Sequence, residues 1–163
     1  MKICFAASSG GHFEQLMMLQ PYLSNHDNFI VTERTSYDIN ANNTRVYKVL
    51  QVNRKEKRMI LKFMVISVQS FMIFVKEKPD LVMSTGSLST IPILLIAKIF
   101  RKKIIFIESF AKIHSPTLTG KLVYRFADLF IIQWEELRKH YPNAVFKGES
   151  IDIHHIRIPK ISV

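Results

Sequence analysis

The chain has 163 residues, is 48% hydrophobic and carries a net charge of +10 from 23 basic and 13 acidic side chains. That length holds one domain with a sizeable core, and the hydrophobic fraction excludes a disordered chain. A single cysteine, Cys4, excludes a disulfide framework and points to a cytosolic setting. The basic balance suits nucleic acid, an anionic membrane surface or a phosphorylated ligand, and the lack of an RNA-binding aromatic motif, zinc-finger spacing or basic arm argues against nucleic acid.

The first apolar run, Lys2–Ala7, reads as a buried strand, and "SSGGHFEQL" behind it opens a helix over about His12–Leu23. The run is too short and too quickly followed by glycine for a signal peptide. Further strands are expected at Phe29–Thr32, Arg45–Leu50, Asp80–Ser84, Lys103–Ile107 and Asp128–Gln133. Helices are expected at Lys55–Lys76, Thr90–Phe100, Thr117–Phe126 and Glu135–His140. Pro79 just before a strand and Pro92 in the first turn of a helix suit these assignments. Lys98, Arg101, Lys102 and Lys103 gather at the end of a helix, where cations complement the dipole. The alternation predicts an α/β domain: a mostly parallel, Rossmann-like sheet with helices on both faces. No repeat or linker divides the chain, so residues 1–150 read as one domain. Residues 151–163 read as a tail that docks on a partner or packs back on the domain.

The stretch "RMILKFMVISVQSFMIFVKEK" is apolar almost all round. Lys55, Arg58, Lys62, Gln69 and Lys76 fall in one narrow stripe at helical spacing, and a surface helix needs only one apolar face. Three readings stay open: a fully buried helix, a helix that offers its surplus face to a membrane or partner, and a bilayer span, against which the embedded lysine argues. A membrane or partner face would include Arg54, Lys55, Arg58, Lys62, Phe63, Phe71 and Phe74, with the basic "RKEKR" at its start suited to anionic headgroups.

In a sheet of this kind, functional residues gather at the C-terminal ends of strands. The loops there are "SSGGH", "STGSLS" and "ESFAKIHSPT", together one polar crevice. Gly10 and Gly11 let the backbone approach a ligand, and His12 stands at a helix start, where an anion is favoured. The turn reads either as a capped strand-to-helix connection or as a phosphate or sugar-phosphate cradle with His12 as general base, a role suited to an imidazole titrating near neutral pH. Glu108 is the second candidate for catalysis, or else a loop-capping acceptor. Ser8, Ser9, Gly10, Gly11, Thr85, Gly86, Ser87, Ser109 and Lys112 are the candidate phosphate- or acceptor-binding residues, with His114 a weaker one. Neither a Walker loop nor G-x-G-x-x-G is present. The missing G-x-S-x-G elbow argues against a hydrolase. His154 and His155 lack a third ligand at metal spacing, so no metal is expected.

The stretches "SSGGHFEQL", "PDLVMSTGSLSTIP", "IIFIESFAKIHSPTLTGKLVYRFADLFIIQWEEL" and "NAVFKG" resemble one family over about residues 2 to 150. It is the acceptor-side subunit of split GT-B glycosyltransferases: the membrane-anchor subunit of the eukaryotic dolichol-diphosphate N-acetylglucosaminyltransferase, and its bacterial counterparts in capsule and exopolysaccharide gene clusters. The N-terminal half of MurG is a more distant relative. The resemblance implies the N-terminal half of an inverting GT-B enzyme, active only with a small partner chain that holds the UDP-sugar. It implies a polyprenyl-diphosphate-linked acceptor, peripheral attachment to the cytoplasmic face of the plasma membrane, and no cofactor. Gly10–Gly11–His12 corresponds to the family's loop near the acceptor diphosphate, and Glu108 to its acidic position. The alternatives are a non-catalytic membrane scaffold for a separate glycosyltransferase and a stand-alone phosphate- or nucleotide-binding module.

Overall fold

The apolar runs pair into a single seven-stranded sheet in which every strand is parallel, in the order β3-β2-β1-β4-β5-β6-β7. The computed structural model describes residues 1–19, 25–35, 44–52 and 56–148. The strands are β1 (Lys2–Ala7), β2 (Asp27–Glu33), β3 (Arg45–Val49), β4 (Leu81–Gly86), β5 (Lys103–Ile107), β6 (Leu129–Ile132) and β7 (Val145–Phe146). The helices are α1 (Gly11–Met17), α2 (Met59–Glu77), α3 (Ile91–Ile99) and α4 (Leu118–Val123). The expected Rossmann-like sheet is therefore the one formed. The chain winds outward from β1 to β3, returns through α2 to pair β4 beside β1, and continues in the other direction. The strand order reverses between β1 and β4, where such sheets open a crevice.

Three elements depart from expectation. Strand β7, two residues paired with Ile131 and Ile132, is too short to give a periodic signal. The segment Glu135–Lys139 is a 3₁₀ turn rather than an α-helix, since Pro142 leaves no room for a further turn. Helix α1 has seven residues, ending at Met17.

The two faces of the sheet build two cores. Ile3, Phe5, Ile30, Met83, Ile105 and Ile131 point to the α1 side and pack on Phe13 and Leu16. Phe29, Val31, Val82, Ile104, Phe106 and Phe130 point to the other side, under α2, α3 and α4. Cys4 is wholly buried there, and burial pushes its thiol well up. The C-terminal end of α2 is pinned by Glu77, which is 4% exposed. Glu77 accepts from the Tyr47 hydroxyl at 2.5 Å and from Lys2 Nζ at 3.1 Å. Burial disfavours its charge, but Tyr47, Lys2 and Arg45 together hold its carboxyl below the usual range.

A second buried carboxylate ties β5 to α4. Oε1 of Glu108 accepts from the Ser109 amide (2.9 Å) and the Thr117 hydroxyl (2.8 Å), and Oε2 from the Thr117 amide (3.2 Å) and the Tyr141 hydroxyl (2.6 Å). Thr117 in turn caps α4 by accepting from the Gly120 amide at 2.8 Å. A Cβ at Gly120 would lie 2.1 Å from Glu108 Oε2 and 2.6 Å from the Tyr141 oxygen, so only glycine fits. Gly120→Ala is expected to destabilise the fold by about 1–3 kcal/mol through overpacking. Urea unfolding of the two proteins checks this; equal midpoints would mean that the Glu108 cluster yields without strain.

Candidate functional site

A crevice of about 490 Å³ opens at the C-terminal edge of the sheet. One wall is α1, with Gly11, His12, Gln15 and Met18; the other is the segment Ser109–Ala111 after β5, with Gln133 after β6 behind it. The turn into α1 needs Gly10, whose φ of 82° is open chiefly to glycine. The Gly10 carbonyl receives the amides of Phe13 and Glu14 at 2.8 and 3.1 Å and so closes the first turn. The Thr85 hydroxyl donates to the His12 carbonyl at 2.7 Å and ties α1 to β4. The β1–β4 register slips between Ala6 and Ala7, a local irregularity of the kind that re-aims chains next to sites.

His12 is half-buried in this crevice. Its ring lies against Gly86, where a Cβ would make ordinary contact with it at 3.8 Å. Its Nδ1 is shut from solvent and has no hydrogen-bond partner. Burial pushes the imidazole below its ordinary value of 6.5, with the Thr85 backbone and the Glu108 charge pulling the other way. The ring is therefore neutral at pH 7, with one nitrogen able to take a proton.

The other expected site residues divide. Ser109 and Gly11 line the crevice with His12. Ser9 is half-buried and Gly10 exposed at the turn, and Ser8 is buried. Ser87 is half-buried, with φ 108° and ψ 165°, a region that only glycine enters without strain; its hydroxyl bonds that of Ser89 at 2.8 Å. Such strain concentrates at functional loops.

Four of the expected residues have other engagements or positions. Glu108 does not present its carboxylate to the crevice as a base: it is 1% exposed and all four of its hydrogen bonds hold the loop. Thr85 is 1% exposed, and its hydroxyl serves the α1 tie. The Gly86 amide donates to Ser84 Oγ at 3.1 Å. Lys112 is exposed on its loop and does not line the crevice.

On the opposite side, α2 buries only Ile66, Ser70, Phe74 and Glu77, spaced along one stripe. Phe74 therefore belongs to the core, packed at 5.1 Å against Phe100, and not to an outer face. Phe63 is half-buried and lines an apolar groove with Val68, Phe71, Pro92 and Leu95. Arg58 is exposed and Lys62 pairs with Glu56; Arg54 and Lys55 lie outside the described residues. The outer face of α2 is apolar along its length: Ile60, Leu61, Met64, Val65, Val68, Phe71, Met72 and Val75 are all exposed. Ile99 and Phe100 extend it from the end of α3. By length and composition α2 is long and apolar enough to cross a membrane.

Sequence reasoning missed Gln15, Met18, Phe110 and Gln133. Gln133 had a signal, a polar residue at the C-terminal end of an apolar strand. Gln15 had a weaker one, its place one helical turn after His12.

Comparison with known proteins fits this geometry. Residues 3–150 match the family described as "Oligosaccharide biosynthesis protein Alg14 like". The human UDP-N-acetylglucosamine transferase subunit ALG14 is 24% identical over 93% of this chain and 83% of its own length. The Candida albicans protein of the same name is 23% identical over 86% of this chain and 74% of its own. Among solved structures, Acinetobacter baumannii MurG superposes with a TM-score of 0.69 at 15% identity, over 83% of this chain and 43% of that one. A UDP-N-acetylglucosamine 2-epimerase from Rickettsia bellii gives 0.70 at 15% identity, over 91% and 44%. The chain thus spans less than half of these larger proteins and shares the fold of that part. By sequence over nearly its whole described length and by fold, the chain belongs to the Alg14-like family of oligosaccharide-biosynthesis proteins.

Proposed function

We propose that this protein is the acceptor-side subunit of a two-chain inverting glycosyltransferase in polysaccharide biosynthesis. The observation that carries this reading is the extent of the match: an Alg14-like domain that spans 43% of MurG, with its crevice at the open edge of the sheet. A partner chain supplies the other half and the UDP-sugar site. The acceptor is a polyprenyl-diphosphate-linked sugar. An acceptor hydroxyl attacks the anomeric carbon, the bond from that carbon to the UDP oxygen breaks, and UDP leaves. The hydroxyl proton passes to the imidazole of His12, which lines the crevice and which burial biases toward its neutral form. Glu108 acts as a positioning residue, because its four hydrogen bonds set the course of the chain after β5.

The outer face of α2 suits the cytoplasmic surface of the plasma membrane. Covering one side chain of the Leu, Ile or Phe class contributes about 1.5–3 kcal/mol, so a face of eight exposed apolar residues favours a cover strongly. Lys57 and Arg58 at one end and Lys78, Lys98 and Arg101 at the other are exposed and suit anionic headgroups. Helices α2 and α3 run alongside the strands, so a membrane against them lies parallel to the strands.

Two outcomes are expected. With the partner bound, His12→Ala lowers turnover by about 10²- to 10⁴-fold while the complex still forms. The acid limb of the wild-type kcat/KM profile lies at lower pH than for an ordinary imidazole, because burial depresses the pKa of the base. Unchanged turnover in His12→Ala, or the same acid limb, would leave the chain a scaffold with its base elsewhere. In flotation on phosphatidylglycerol-containing vesicles, the wild type rises with the lipid and a Val68→Glu, Met72→Glu double variant stays behind. Equal flotation would show that α2 does not make the contact.

A further inference from the structure

His12 and Gln15 both line the crevice, and the Gln15 side-chain amide nitrogen, closed off beneath its surface, has no hydrogen-bond partner. The residues are three apart on α1 and share a face. A buried amide without a partner is unfavourable, and turning the Gln15 side chain toward the crevice lets a ligand oxygen remove the penalty. Of the two, Gln15 has no part in the chemistry described above.

The facing wall carries an aromatic platform. The Phe110 ring is 45% exposed and lies 5.1 Å from that of Trp134. Trp134 Nε1 donates to the Phe110 carbonyl at 2.7 Å, so ring and backbone are held by the same neighbour. Gln133 Nε2 donates to the Glu108 carbonyl at 2.7 Å and fixes the base of this wall. A half-open aromatic face opposite unpaired hydrogen-bonding groups is the composition of a site for a sugar ring: the C–H face of a pyranose stacks on the aromatic and its oxygens take the polar groups.

We propose that Gln15 and the Phe110–Trp134 pair form the subsite that grips the sugar ring of the lipid-linked acceptor. Gln15 donates to an oxygen of that ring, Phe110 stacks on its apolar face, and a hydroxyl is thereby presented at His12. The inference rests on the acceptor-side reading and adds which residues read the sugar as distinct from the diphosphate and its lipid.

The distinction is testable by binding. Binding is read by titration calorimetry, which is independent of the partner's own fluorophores. The full chain with its partner is titrated with geranyl diphosphates carrying glucose, galactose or N-acetylglucosamine, and with geranyl diphosphate alone. In the wild type, one of the sugar-bearing probes gives a saturable change. Gln15→Ala and Phe110→Leu each weaken that affinity about fivefold or more, while binding of bare geranyl diphosphate and the melting temperature stay as in the wild type. Sugar-bearing probes that bind both variants as tightly as the wild type overturn the subsite and leave the acceptor-side reading standing. A wild-type complex that responds to none of the probes overturns both. An equal loss for bare geranyl diphosphate overturns the claim that these residues read the sugar.

Discussion

Every strand of the sheet runs in the same direction, and this one constraint places the site. Parallel strands need crossovers, so each strand's C-terminal end issues into a loop on the same edge. Winding outward from β1 in both directions separates two of those loops, the one that follows β1 and the one that follows β4. His12 stands at that parting, tied by its carbonyl to Thr85 and with its ring against Gly86. The crevice wall opposite comes from β5 and β6, one and two strands further on. Residues scattered from Gly11 to Gln133 converge there because the sheet brings strand ends together, not because they are near in sequence.

The same constraint explains the odd helix. A parallel sheet must be covered on both faces. On one face α2 does this with only four buried residues, held at its end by Glu77. Its outward residues are as apolar as its inward ones, which covering a sheet does not require. In the proposed reading the surplus belongs to the membrane. The same helix thus covers the sheet with one side and offers the other to a lipid surface.

Much of this was legible in the sequence. Strands β1 and β5 fall where the apolar runs put them, because runs such as "KIIFI" have no helical alternative of adequate length. The glycine-rich turn, His12 and the three polar loops were visible because strand ends in such a sheet are functional ground. Partnering was not visible. Glu108 reads as a free carboxylate until Tyr141, thirty-three positions later, is seen bonded to it. Thr85 reads as a binder until its hydroxyl is found on the His12 carbonyl. Phe74 and Phe71 are three residues apart, equally apolar and both against Phe100, and only the packing of Phe74 into the core under the sheet distinguishes the buried ring from the exposed one. Gln15 carries only a weak signal, its place one helical turn after His12, until its amide proves buried and unpaired.

The central claim is that this chain is half of an enzyme. It is tested most directly by assaying membranes from cells that express this chain, a small glycosyltransferase-like partner encoded beside it, or both, for transfer from UDP-sugars to a polyprenyl-diphosphate-linked sugar. The account predicts transfer only where both chains are present, with the two recovered as one complex. Transfer by the partner alone at the same rate, or by this chain alone, would contradict it.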